Sequence, residues 1–299
     1  MKKSVSMLLA ALMLTGALAG CGSSASTSGT QAEDGADSGV SGAITVISRE
    51  DGSGTRGAFI ELTGVEEKTA DGKKVDNTTA DAEIANKTDV VLTSVAGNEK
   101  AIGYISLGAL NDTVKAVKVD GAEATVDNVK AGAYKLSRPF NIATKGEPTG
   151  VAKDFISFIL SKEGQAVVTD NKYIAVNDAA GSFVSDGSSG QIAVGGSSSV
   201  SPVMEKLIEA YKSVNPNASI DLQTSDSTSG MTGAMDGTFA IGMASRELKD
   251  EEAAQLTGTA IALDGIAVIV NPANTIDELS MDQIKSIYVG DITDWGDLA

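Results

Sequence analysis

The sequence predicts an α/β fold with largely parallel sheets. Three observations predict it. Short β-rich runs alternate with stretches of helical spacing. Three strands run into Ser/Thr/Gly turns that open a helix. One long segment, Ile261 to Val270, is a very apolar strand.

The elements follow in order along the chain. Ala43 to Ile47 is a short β-rich run, followed by the Gly-rich turn Asp51–Thr55 and a helix from Arg56 to Leu62. Asp89 to Val95 and Ala101 to Ile105 read as strands. Val114 to Val119 is another, ended by the turn Asp120-Gly121. Thr149 to Val168 has helical periodicity through Val151, Phe155, Phe158 and Ile159. Residues 177–190 are rich in Gly, Ser, Asp and Ala and read as a linker. The pattern then restarts. Gln191 to Val194 is a strand, Gly195 to Ser201 a turn, and Pro202 to Val214 a helix with Ser201 as its N-cap. Ala218 to Leu222 is a strand, Thr224 to Ser229 a polar turn, and Gly230 to Met235 a short helix. Strands at Phe239–Met243 and Ile261–Val270 and a helix at Met281–Val289 complete the reading.

Composition narrows function. The 299 residues include 40 acidic and 23 basic side chains, no histidine and one cysteine, for a formal net charge of −17. Without histidine, Ser-His-Asp and Cys-His catalytic sites are excluded. Zinc sites of the usual kind are disfavoured. One cysteine forms no internal disulfide. A pI near 4.4 argues against nucleic-acid binding, which needs a basic face. No cofactor, metal or catalytic residue is expected. A serine hydrolase using Ser53 or Ser198 lacks a histidine base, and no lysine stands beside those turns. A Gly-x-x-x-x-Gly-Lys-Ser/Thr phosphate loop is absent as well.

The N-terminus reads as an address. Lys2 and Lys3 precede an apolar run from Val5 to Leu18 and then Leu18-Ala19-Gly20-Cys21. A short positive region, an apolar stretch and small residues before a cut site make residues 1–20 a secretory signal. The tetrapeptide resembles the lipobox of bacterial lipoproteins, which implies cleavage before Cys21 and lipidation, palmitate included, of its thiol. Residues 21–43 then form a lipidated cysteine and a flexible tether of Gly, Ser, Ala, Thr and acidic residues.

The recurring device is a strand, a Ser/Thr/Gly turn and a helix start. It occurs with Ser53-Gly54-Thr55, with Ser197-Ser198-Ser199 and with Ser227-Thr228-Ser229-Gly230. A helix start carries unpaired N–H groups and partial positive charge. Glycine lets a ligand approach the backbone, and Ser or Thr adds a hydroxyl donor. Three such turns in one chain, one with an arginine beside it, point to an oxyanion site built from converging helix N-termini. The acidic net charge does not oppose this. At roughly 0.15 M salt, charges beyond about 8 Å are largely screened.

Four segments carry a family resemblance: Gly195 to Pro202, Ile241 to Leu248, Ile261 to Val270, and Val46 to Arg56 with its string Ser-Arg-Glu-Asp-Gly-Ser-Gly-Thr-Arg. Together with Ile292-Thr293-Asp294-Trp295 they resemble the phosphate-binding lipoproteins of bacterial ABC phosphate importers (the Pst system). The resemblance implies a two-lobed periplasmic-binding-protein type II fold. The order differs: the family's second half comes first here, at 44–176, and its first half follows, at 191–299. This implies a circular permutation joined by 177–190. A swapped dimer and a fragment of a longer tandem protein are the alternatives. Mapped onto this chain, one lobe comprises 44–112 with 272–299 and the other 138–176 with 191–267. Hinge crossings are expected at 113–137 and 268–271.

The resemblance also implies roles. Phosphate would be held by Arg49, Ser53, Gly54, Thr55, Ser198, Ser199, Ser227 and Ser245, with Asp51 and Asp226 in support. Asp51 is expected to orient Arg49, while Arg56 and Arg246 read as surface salt bridges. Discrimination against sulfate needs an acceptor for the phosphate proton. Some family members use an Asp where this chain has Ser245, so Ser245, Asp51 and Asp226 are the candidates. The implied partners are inorganic phosphate and the transmembrane subunits of an ABC permease, at the extracytoplasmic face of the cell membrane. The alternatives are a receptor for sulfate or molybdate, or a sensor or surface lipoprotein without transport.

Overall fold

The computed structural model describes residues 40–298. The signal at 1–20, Cys21 and most of the tether lie outside the described residues.

The chain begins with β1 (Thr45–Arg49), α1 (Gly54–Thr63), β2 (Glu66–Lys68), β3 (Lys74–Asp76), β4 (Glu83–Ala85), α2 (Thr88–Ala96) and β5 (Ala101–Ser106). Short pieces follow: β6 (Lys115–Ala116), β7 (Lys118–Val119) and α3 (Val126–Lys130). Next come β8 (Ser137–Thr144), α4 (Gly150–Ile159) and α5 (Lys162–Asp170). After residues 177–189 come β9 (Gly190–Ser197), α6 (Ser201–Val214), β10 (Ala218–Ser225), α7 (Ser227–Asp236) and β11 (Ile241–Ala244). The chain closes with α8 (Asp250–Ala253), β12 (Thr257–Val270), β13 (Glu278–Leu279) and α9 (Met281–Val289).

Nine strands form one curled sheet in the order β10-β9-β11-β8-β12-β5-β1-β4, with β6 also on β12. Its wings are parallel: β1 with β4 and β5, and β9 with β10 and β11. Its centre is antiparallel, because β8 pairs with β11 and β12, and β12 with β5. Within this sheet the expected parallel pairing is therefore confined to the wings, and β7 and β13 form a separate parallel pair.

The fold is two-lobed, with a separate core in each lobe. One core gathers Ile47, Phe59, Val91, Val95, Tyr104, Ile266–Val270, Ile284 and Trp295. The other gathers Phe140, Phe155, Phe158, Val194, Met204, Leu207, Met243 and Ile261. The strand β12 serves both: Thr257–Gly265 pairs with β8, and Ile266–Val270 with β5. Val114, Val117, Val119, Val129, Tyr134 and Leu136, all from 113–137, pack into the first core.

Several elements differ from expectation. The expected strand Val114–Val119 is two short strands, β6 and β7, and β8 falls where no element is expected. Asp89–Val95, expected as a strand, is the helix α2: Val91, Leu92 and Val95 are buried while Asp89, Val90 and Thr93 face solvent. A β-branched run concealed that helical spacing. The expected helix 149–168 is two helices, broken where the Ser161 hydroxyl caps α5 by accepting from the Gly164 amide. Ser201 is not an N-cap. It lies inside α6, and its hydroxyl donates to the Ser197 carbonyl.

Segment 177–189 lacks helix and strand but is anchored. The Ser185 hydroxyl and Asp186 amide donate to the Asp154 carboxylate, which also accepts from Tyr211 and Asn215. Phe183 packs edge-on against Phe158. At the opposite end of the chain order, Ile44 N donates to Thr293 O and Trp295 N to Gly42 O. The first and last described segments are thus hydrogen-bonded neighbours.

The helix α7 lies directly on the backbone of β9 and β11. A Cβ on Gly230 would stand 2.7 Å from the Gly196 Cα and 2.8 Å from the Met243 carbonyl oxygen. Gly230→Ala is expected to cost about 1–3 kcal/mol, as overpacking does. Urea unfolding checks it, and an unchanged midpoint would show that the contact is not tight.

Candidate functional site

The strands β1, β9 and β10 end where α1, α6 and α7 begin, and β4 leads into α2. Ligand crevices of α/β sheets form at such strand ends. Glycine permits the approach. A Cβ on Gly54 would stand 2.8 Å from the Ser245 hydroxyl and would overlap that of Ser227.

Hydroxyls and guanidinium groups from both lobes meet here. Arg49 Nη2 donates to Ser198 Oγ at 3.1 Å. Thr55 Oγ1 and Ser199 Oγ are 2.8 Å apart, and Thr55 Oγ1 and Ser245 Oγ 3.3 Å. The Ser197 hydroxyl donates to Ser245 Oγ at 3.0 Å, and the Ser245 amide to Ser227 Oγ at 3.1 Å. Thr88 Oγ1 lies 3.3 Å from Ser199 Oγ. All of these residues are buried. Helices α2 and α6 start without a side-chain cap, so their first amides are not claimed by a cap. Among the described residues, no group of His, Cys, Asp and Glu is arranged to hold a metal ion.

Arg49 is 2 % exposed and held on several sides. Its Nε and Nη2 donate to the Glu50 carboxylate at 2.9 and 2.8 Å, and Nε also to the Ala85 carbonyl. Its amide donates to the Tyr104 hydroxyl, whose pKa burial pushes up to about 12. Asp51 does not orient it. The Asp51 side chain is 97 % exposed and pairs with Arg56, which also bonds Asp76. The reason is local: Arg49 ends β1 and points inward, while Asp51 sits on the exposed turn beyond.

The remaining expected residues divide. Thr55, Ser198, Ser199, Ser227 and Ser245 are brought together, with Gly54 against Ser227 and Ser245. Ser53 is buried, but its hydroxyl caps α1 by accepting from the Arg56 amide. Asp226 caps α7 by accepting from the Ser229 amide and hydroxyl. Arg246 forms a two-pronged pair with Glu252, half-buried rather than at the surface. Of the three proton-acceptor candidates, Asp51 and Asp226 are occupied elsewhere, and Ser245 stands in the cluster.

Sequence reasoning missed Glu50, Thr88, Ser197 and Arg138. Thr88 opens the helix misread as a strand, and a correct helix assignment would have exposed it as a fourth helix start. Glu50 and Ser197 stand inside the motifs, but nothing in their spacing assigns them a role. Arg138 carried no signal, because it lies on β8, which is not among the elements the sequence predicts. It is 3 % exposed and forms an ion pair with Asp264, Nη1 to Oδ2 being 3.1 Å. Its Nη2 donates to Thr55 Oγ1 at 3.0 Å. Burial lowers its pKa against the opposing Asp264 charge.

A family model described as a PBP superfamily domain matches residues 25–163 and 182–299. The phosphate-binding protein PstS 2 of Streptococcus agalactiae serotype V is 50 % identical over 300 residues, covering 99 % of this chain and 98 % of that one. Its namesake in Streptococcus pneumoniae serotype 4 is 48 % identical over 296 residues, covering 99 % of each. The crystal structure of a phosphate ABC transporter phosphate-binding protein from S. pneumoniae TIGR4 has a TM-score of 0.69 and 50 % identity. It covers 86 % of this chain and all of that one. The chain belongs to the PstS phosphate-binding protein family, within the PBP superfamily.

Asp264 gives a pH test. Burial raises its pKa to about 6, against the pull of Arg138 and hydrogen bonds from its surroundings. Ser106 and Tyr173 pack beside it. A carboxyl raised above its unfolded value favours folding while protonated, and that advantage is lost as pH rises through the folded value. Relative to Asp264→Asn, the unsubstituted protein should therefore lose stability between about pH 4 and 6, by up to about 3 kcal/mol. Above that range the difference should be flat. Urea titrations across pH check this, and a constant difference would contradict it.

Proposed function

We propose that this chain is an extracytoplasmic receptor that closes its two lobes around inorganic phosphate and delivers it to an ABC permease. The supporting observation is the donor cluster contributed by both lobes. Arg49, Thr55 and Thr88 on one side meet Ser198, Ser199, Ser227 and Ser245 on the other. Hydroxyls, a fixed guanidinium and uncapped helix starts suit a small tetrahedral oxyanion, since they supply many donors without many net charges. The relatives' names carry the same ligand. The protein acts by binding, not catalysis, with no cofactor.

Lobe boundaries follow the two cores. We assign 44–136 with 266–298 to one lobe and 140–262 to the other. The chain then crosses between them at the start of β8 and within β12. The segment order is read as a circular permutation, supported by the adjacency of residues 42–44 to 293–295 and by the docked joining segment. Full-length identity to the relatives means that they share this order. Closure takes place within one chain. Cleavage before Cys21, lipidation of its thiol and anchoring at the outer face of the cell membrane complete the reading. Among the described residues, no helix is long and apolar enough to cross a membrane.

Titration calorimetry tests the ligand. Phosphate should bind, sulfate at least about ten-fold more weakly, and Ser245→Ala should narrow that gap. Arg49→Ala should weaken phosphate binding by about ten- to a hundred-fold, as expected for a lost charged hydrogen bond that also frees the Glu50 carboxylate. Equal affinity for sulfate would remove the proton-acceptor role, and unchanged binding would remove Arg49 from the site.

A further inference from the structure

Arg138 stands behind the cluster, on the strand that leads from one lobe to the other. Four of its contacts are fixed. Nε donates to the Ser245 carbonyl at 3.0 Å, Nη1 to the Gly265 carbonyl at 3.2 Å, and Nη2 to Thr55 Oγ1 at 3.0 Å. Asp264 completes the set as its ion partner, with Oδ2 3.1 Å from Nη1. The guanidinium also lies 5.4 Å from the Phe140 ring centroid. It cannot turn away without breaking several buried contacts at once.

Hydrogen-bond direction follows from this. A guanidinium has donors only, and a threonine hydroxyl has one proton and two lone pairs. Arg138 therefore occupies a lone pair of Thr55 and withdraws charge from its oxygen. The single proton of Thr55 must point elsewhere, toward Ser199 Oγ at 2.8 Å, toward Ser245 Oγ at 3.3 Å, or toward a bound anion. A free threonine hydroxyl could accept as readily as donate, whereas this one is biased to donate.

We propose that Arg138, held by Asp264, is a positioning residue that fixes the Thr55 hydroxyl as a donor to an unprotonated oxygen of the bound oxyanion. Arg138 acts through Thr55 rather than on the ligand. The assignment deepens the phosphate reading and rests on it.

A double-mutant cycle tests it by calorimetry with inorganic phosphate. The variants are Thr55→Val, Arg138→Lys and their combination, with Thr55→Ser as the conservative replacement. Lysine keeps the charge but cannot reach three acceptors in the guanidinium plane. Arg138→Lys should raise the phosphate Kd by at least about ten-fold in the Thr55 background and by less than about three-fold in the Thr55→Val background. Thr55→Ser should restore most of the binding and most of the sensitivity to Arg138→Lys. Because a misplaced buried charge can unfold a protein, the cycle is repeated with Arg138→Met/Asp264→Asn, which removes both charges together. The same coupling to Thr55 is expected. Equal fold-losses in the two backgrounds would overturn the assignment, either because Arg138 meets the ligand itself or because it serves only the fold. Failure of the unsubstituted protein to bind phosphate would overturn the phosphate reading and this assignment with it. Binding with additive losses would overturn the assignment alone.

Discussion

The structure depends on one constraint: two buried guanidinium groups and a crowd of buried hydroxyls must all be satisfied at a single interlobe junction. A buried cation without a partner is costly, so each arginine has its own carboxylate, Glu50 for Arg49 and Asp264 for Arg138. That leaves the cluster rich in donors yet close to neutral. The hydroxyls satisfy one another when the lobes meet. They are also the groups that an oxyanion would take over. The same contacts that join the two lobes are thus the contacts a ligand would use.

The sheet places these groups. Parallel wings aim the C-terminal ends of their strands at the junction, where β1, β4, β9 and β10 hand over to α1, α2, α6 and α7. The long β12 and antiparallel β8 run between the lobes and carry Asp264 and Arg138 where the cores separate. Glycines 54, 196 and 230 let backbone and hydroxyls approach more closely than a side chain would permit. The order of segments along the chain matters little to this geometry, because residues 42–44 are hydrogen-bonded to 293–295 and the joining segment is docked on Asp154. Strong net negative charge is compatible with it too, since short-range donors outweigh distant, screened charges.

The chain's α/β class, most strands and the helix starts at Ser53–Thr55, Ser197–Ser199 and Ser227–Gly230 were legible because each rests on local chemistry. Turn residues, capping hydroxyls and apolar runs announce themselves within a few positions. What stayed hidden was set by tertiary context. Asp89–Val95 looks like a strand because valine favours one, and only burial on one side of a helix reveals otherwise. The partner of Arg49 could not be read from spacing: Glu50 and Asp51 are both near in sequence, and the turn decides which one faces inward. Arg138 is distant in sequence from Thr55, so its part in the site emerges only once β8 is placed beside β12.

The most direct test of this account is a crystal structure of the protein grown with phosphate. One tetrahedral anion should occupy the interlobe junction, accepting hydrogen bonds from Arg49, Thr55, Ser198 and Ser227 together. Phosphate bound on one lobe alone, or away from these four residues, would contradict the claim that both lobes build a single oxyanion site.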